Sequence, residues 1–213
     1  MELKNKKIAF LGDSITFGSG ASSEDMRYTS VFEKISGAAV DNFGVCATRI
    51  ARRIVPHPTP SWNDTFVNRA KRMTDDYDVI CVFGGTNDYA NPNPTPLGVI
   101  DDTDEHTFYG ALKILCETLL TMHPHAIIAF ATPIHRRADY NYGLPGLCLK
   151  DYVTAIKEIA ETYSIPVLDL YATAGIQSKI PAVMEEYLAD GLHPNDRGHE
   201  RIAQKFYSFL KTL

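Results

Sequence analysis

The sequence predicts a doubly wound α/β fold, a three-layer α/β/α arrangement in which a five-stranded parallel sheet lies between helices. Three observations carry that expectation. Five short apolar runs recur along the 213 residues. The first, third and fourth are almost continuously apolar, as strands buried on both faces must be. Longer segments of helical periodicity separate the runs, and a chain that alternates in this way builds a parallel sheet through crossover helices.

The first run, residues 7–11 (KIAFL), ends at Gly12-Asp13. A weak helical pattern over 22–35 leads to the second run, 38–42 (AAVDN), closed by Gly44. Another weak helix, 61–73, precedes the third run, 78–83 (DVICVF), which stops at Gly84-Gly85. Thr107 can cap a helix in which Phe108, Leu112, Leu115, Leu119 and Met122 recur at helical spacing. His123-Pro124 ends it, because a residue before proline avoids the helical region. The fourth run, 126–131 (AIIAFA), turns at Thr132-Pro133. Residues 151–163 set Val153, Ile156, Ala160 and Tyr163 on one stripe, with Lys157, Glu158 and Glu161 opposite. The fifth run is 165–170 (IPVLDL), and a last helix over 196–210 buries Ile202, Phe206 and either Phe209 or Leu210. The proline-rich stretches 56–60 and 92–96 read as surface loops, so 1–213 reads as a single domain.

Composition narrows the function classes. Apolar residues make up 45% and charged residues 22%, ordinary values for a soluble domain whose core needs neither metal nor disulfide. A net charge of −5 leaves no footprint for nucleic acid or anionic lipid. It suits a neutral or cationic small substrate better than a polyanion. No segment has the apolar length of a membrane span, and the run at 8–11 is too short for a signal-peptide core, so a cytoplasmic location is expected. Cys46, Cys81, Cys116 and Cys148 are widely spaced and read as free thiols. The oligomeric state is left open.

In such a fold, ligands sit beyond the carboxyl ends of the strands. Gly12-Asp13-Ser14, Gly44-Val45 and Gly84-Gly85-Thr86-Asn87-Asp88 should therefore converge on one rim. Ser14 there would expose its hydroxyl beside the free N–H groups of a starting helix, although a plain capped turn fits the same three residues. A serine becomes nucleophilic when a base takes its proton. Of seven histidines, His193 stands out because Asp190 precedes it by three residues in Asp190-Gly191-Leu192-His193-Pro194-Asn195. That loop can fold the carboxylate back onto Nδ1 and leave Nε2 for the serine; a capped turn before the last helix is its plain alternative. Donors for an oxyanion are available as the N–H of Ser14, the N–H of Gly44 and the side-chain amide of Asn87. Taken singly, Gly44 and Asn87 also read as turn residues. Asp13, Tyr89, His135 and Arg136 are expected to line the substrate pocket, as are the aromatics Trp62, Tyr140 and Tyr142. Arg49, Arg52 and Arg53 read as an exposed helix face in preference to a site for an acidic substrate group, and His123-Pro124-His125 as a solvated turn.

Together these blocks resemble the SGNH hydrolase superfamily, also called GDSL esterases. The resemblance rests on Gly12-Asp13-Ser14-Ile15, Asn42-Phe43-Gly44, Gly84-Gly85-Thr86-Asn87-Asp88 and Asp190-Gly191-Leu192-His193-Pro194-Asn195, in the family's order, and runs from Ile8 to His199. Ile15 departs from the leucine of the GDSL motif, an apolar exchange. The resemblance implies a flavodoxin-like strand order. It also implies Ser14 as nucleophile, His193 as base, Asp190 as its partner, and oxyanion donors at Ser14, Gly44 and Asn87. The expected activity is hydrolysis of a small carboxylic ester, such as an acetyl ester of a carbohydrate, through an acyl-Ser14 intermediate and without metal or organic cofactor. A lysophospholipase or thioesterase is the alternative within the same chemistry. From other classes come a small-ligand binding module holding an anion or nucleotide at residues 12–14, and a metal-dependent hydrolase using Asp13, Asn87, Asp88 and His193.

Overall fold

The computed structural model describes residues 1–90, 93–140 and 144–213. Five parallel strands form one sheet: β1 (Lys7–Gly12), β2 (Ala39–Gly44), β3 (Val79–Phe83), β4 (Ile127–Ala131) and β5 (Val167–Leu168). Their order is β2-β1-β3-β4-β5, the flavodoxin-like arrangement, with the chain reversing direction across the sheet between β1 and β3. Gly12 pairs with both Gly44 and Phe83, so the ends of three strands lie side by side at the rim.

Strand alternation divides the interior into two cores. Ala9, Leu11, Ile80, Val82, Ile128 and Phe130 face the helices α3 (Phe66–Ala70), α5 (Phe108–Met122) and α6 (Leu149–Thr162). Ile8, Phe10, Val79, Cys81, Phe83 and Ala129 face α2 (Tyr28–Ser36) and α9 (Asp196–Leu210). In the second core the ring of Phe10 meets Tyr28, Phe32 and Phe206 edge-on at 5.2–5.3 Å. Thr107 caps α5 by accepting from Gly110 N, and Leu210 rather than Phe209 is the fully buried residue closing α9.

Several expectations are corrected. The 22–35 helix begins only at Tyr28, after a 3₁₀ turn at Glu24–Met26. That over 61–73 shrinks to Phe66–Ala70, where the Thr65 hydroxyl accepts from Asn68 N. The last strand keeps two residues because Asp169 turns the chain, capping a short α7 (Leu170–Thr173) through Ala172 N. Helix α8 (Pro181–Tyr187) was not foreseen: it spans only about two turns and none of its residues is fully buried, although Met184 and Tyr187 pack against the second core. Met122 is exposed at the end of α5, whereas His123, expected to be solvated, is buried beside Tyr77. Arg49, Arg52 and Arg53 lie on a loop, and Arg49 and Arg53 are buried. All four cysteines are free. Among the described residues no helix is long and apolar enough to cross a membrane.

Candidate active site

The first strand delivers Ser14 directly into a helix. Asp13 Oδ1 accepts from Ile15 N at 3.0 Å and caps α1 (Ser14–Phe17), so Ser14 occupies the first helical position. Two glycines make room for this short helix. A Cβ on Gly12 would lie 1.8 Å from Thr16 Oγ1, and one on Gly44 would lie 2.1 Å from Phe17 N. Burial pushes the Asp13 carboxyl up to about 6 in spite of its bond from Ile15 N.

The hydroxyl of Ser14 lies 2.9 Å from His193 Nε2, across 179 residues of sequence. The loop that presents His193 is closed by an antiparallel bridge between Leu188 and Pro194 and by Ala189 N donating to His193 O. Gly191 takes φ 86° at its bend, a left-handed conformation that glycine adopts without strain. Asp190 Oδ1 accepts the backbone N–H groups of Leu192 and His193, each at 2.8 Å, while Oδ2 lies 2.7 Å from His193 Nδ1. Partial burial raises the Asp190 pKa, but hydrogen bonds from the His193 ring, His193 N–H and Leu192 N–H outweigh it and hold the carboxyl below its ordinary value. An ionised Asp190 requires the proton on Nδ1, which leaves the Nε2 lone pair facing Ser14. Arg137 N donates to Gly191 O at 2.7 Å and ties this loop to the one that follows β4.

The third strand end contributes α4 (Thr86–Tyr89), entered through Gly85 at φ 103°. Asn87 is 7% exposed and donates one amide hydrogen to Thr48 O at 3.1 Å. Asp88 is fully buried, which raises its pKa, and accepts from Ile50 N, Ala51 N and the Thr95 hydroxyl. It thereby pins the 48–51 loop to the third strand end.

Other expected residues occupy different places. The Gly44 N–H, expected to face an oxyanion, donates to Asn42 Oδ1 at 2.8 Å, so this glycine matters here as the gap that admits α1. Three residues on, Ala47 takes φ 60°, and among the described residues no acceptor meets its N–H. Tyr89, expected at the pocket surface, is fully buried and donates to Ala138 O. His135 Nδ1 pairs with buried Asp139, and its ring lies against Tyr171 with centroids 3.8 Å apart. Arg136 donates to the carbonyl and hydroxyl oxygens of Thr86, bracing α4. Trp62 stacks on His57, the Tyr140 ring lies under Lys179 Nζ, and Tyr142 falls outside the described residues. A residue missed from the sequence is Arg69, which lies buried and donates to Gly12 O, Phe43 O and Thr48 Oγ1. It bridges the first two strand ends, yet inside a weak helical pattern nothing marks it from a surface arginine. Two cavities flank this rim. One of about 560 Å³ is lined by His135, Lys157 and Tyr171, and one of about 250 Å³ by Arg49, Arg53, Thr95 and His106.

The sequence model of the GDSL-like Lipase/Acylhydrolase family matches residues 10–201. No curated protein matches the chain. A solved structure from Lactobacillus plantarum is 35% identical, with TM-score 0.85, over 98% of each chain. A lipase/acylhydrolase from Enterococcus faecalis is 20% identical, with TM-score 0.65, over 97% of this chain and 96% of its own. A member of the lipolytic protein G-D-S-L family from Veillonella parvula is 18% identical, with TM-score 0.65, over 97% and 99%. These last two share the fold.

Proposed function

Because the chain belongs to the GDSL-like lipase/acylhydrolase family, we propose that it is a carboxylic-ester hydrolase that uses Ser14 as nucleophile, His193 as general base and Asp190 as the group that orients His193. The observation that carries this reading is the relay Ser14 Oγ, His193 Nε2, His193 Nδ1, Asp190 Oδ2, with gaps of 2.9 and 2.7 Å. His193 takes the hydroxyl proton as Ser14 attacks the carbonyl carbon and the C=O bond opens to an oxyanion. The same imidazolium then protonates the leaving alcohol, and water repeats the sequence on the acyl-serine.

Three donors suit the oxyanion: the Ser14 N–H at the start of α1, the second amide hydrogen of Asn87, and a backbone N–H from the loop after β2. For the last, Ala47 replaces the expected Gly44, because the Gly44 N–H already has an acceptor and that of Ala47 has none. The substrate in this reading is a small-molecule ester with a short acyl group, acetylated carbohydrates included, and no cofactor takes part.

A series of p-nitrophenyl esters of rising chain length, run beside acetylated sugars, tests the reading. Ser14→Ala is expected to fold normally and lose on the order of a thousandfold or more in kcat. A fluorophosphonate should add to Ser14 of the wild type alone. Retention of roughly a tenth of the wild-type rate by Ser14→Ala would overturn the assignment.

A further inference from the structure

The loop that carries the Asn87 contact has a second side. Thr48 O accepts from Asn87, and the preceding carbonyl, Ala47 O, accepts from Arg53 Nη2 at 3.0 Å. Adjacent carbonyls cannot be far apart, so the Arg53 guanidinium lies within about 12 Å of the Asn87 amide. Arg53 is 8% exposed, and its Nε reaches Trp62 O at 3.4 Å. Its Nη1 group has no acceptor among the described residues, and no carboxylate lies within ion-pair range of it. It lines the cavity of about 250 Å³ together with Arg49 and Arg52, and no acidic residue is among the described lining residues. Arg52 is balanced by Glu105 at 2.9 Å. Arg49 and Arg53 share one nearby carboxylate, Asp88, whose oxygens are occupied by Ile50 N, Ala51 N and the Thr95 hydroxyl. One positive charge is left over, on a side chain that is mostly buried and faces the cavity. Burial, and then the charge of Arg49, pull the Arg53 pKa down to about 10. A guanidinium buried with spare donors costs stability unless an anion completes it.

We propose that Arg53 is a specificity-determining residue that receives a carboxylate of the substrate, so that the preferred esters are acidic ones such as hemiesters of short dicarboxylic acids. A carboxylate matches the single uncompensated charge, and its two oxygens match the guanidinium fork. The proposal rests on the ester-hydrolase reading and adds the substrate class. It also limits what the net charge of −5 says about substrates: the field of the whole surface is acidic, whereas this cavity is locally cationic.

The test compares the p-nitrophenyl hemiester of glutaric acid with its neutral methyl ester. The wild type is expected to favour the acid by about tenfold or more in kcat/KM. Arg53→Gln should bring that ratio to about one, chiefly through KM for the acid, with a smaller loss on the neutral ester from the broken bond to Ala47 O, while Arg53→Lys keeps part of the preference. Val55→Glu, at a cavity position that is 70% exposed, should erode the ratio by adding a negative charge without disturbing the buried bonds of Arg53. An acid-to-neutral ratio at or below one in the wild type would overturn the proposal. So would an Arg53→Gln variant that loses both esters equally, since that is the mark of a loop brace only. Calorimetric binding of glutarate to the Ser14→Ala protein, expected to vanish in Ser14→Ala/Arg53→Gln, separates the two ideas. If glutarate binds through Arg53 but no ester turns over, the hydrolase reading fails; if esters turn over but glutarate does not bind, this proposal fails.

Discussion

At the scale of single residues, Ala47 holds the most informative backbone angle in the chain. A φ of 60° is costly for a residue with a Cβ, of order 1 kcal/mol or more, and such costs persist where the surroundings fix the conformation. Here Arg53 grips the Ala47 carbonyl, and Asn87 grips the next one. Ala47→Gly should keep the activity and change stability by less than about 1 kcal/mol, since relief of strain opposes the greater freedom of glycine in the unfolded chain. Ala47→Val should lower kcat/KM by about tenfold or more, because a β-branched residue resists the left-handed region; steady-state kinetics on a neutral ester read both. Asp190→Asn tests the other arm of the site. An amide in place of the carboxylate can accept from Nδ1 but cannot stabilise the imidazolium, and in related relays this change costs up to about 10⁴ in kcat. A loss smaller than about tenfold would mean that Asp190 does not support His193.

Among the elements, α1 and the end of β2 depend on each other. With Gly44 only a hydrogen away from Phe17 N, Gly44→Ala must push α1, and Ser14 with it, off the strand ends. Expected results are a kcat reduced by about a hundredfold, as small misplacements of catalytic groups produce, and a protein that still folds on its two cores. Unchanged kcat in Gly44→Ala would show that the close approach is dispensable. The elements β1, β3 and β4 are legible as unbroken apolar runs bounded by turn residues, and α5 and α9 because their apolar residues keep helical spacing over most of their length. Helices such as α8 and α4, of seven and four residues, are too short to repeat a period, so nothing in them marks a helix.

For the molecule as a whole, two buried groups oppose each other in their effect on acid stability. Burial lowers the His199 pKa to about 4 from 6.5; its Nδ1 accepts from Tyr28 N while Nε2 faces Ser19 O. Between those values the unfolded chain binds the extra proton, so His199 makes stability rise with pH. Asp13 is shifted the other way, from 3.8 up to about 6, so the folded protein binds the extra proton and stability falls as pH rises through that window. Each effect is of order 3 kcal/mol, and over pH 4 to 6 they largely cancel. Asp13→Asn should unmask a stability that climbs with pH across this range, and His199→Gln one that falls. Urea midpoints at the two ends of the window measure the slopes, and parallel slopes in the two variants would contradict this assignment.

The sequence by itself determined the layered α/β architecture and the candidate nucleophile, base and amide, because apolar periodicity and glycine-bounded strand ends are local properties. It also brought Asp190 and His193 together, since three residues and one glycine suffice to close that contact. Only the tertiary structure decided which backbone N–H groups already have acceptors, as with Gly44 and Ala47, and which long side chains are buried, as with Arg53, Arg69 and Tyr89. Those properties depend on what the rest of the chain places opposite each group, and no local pattern encodes it.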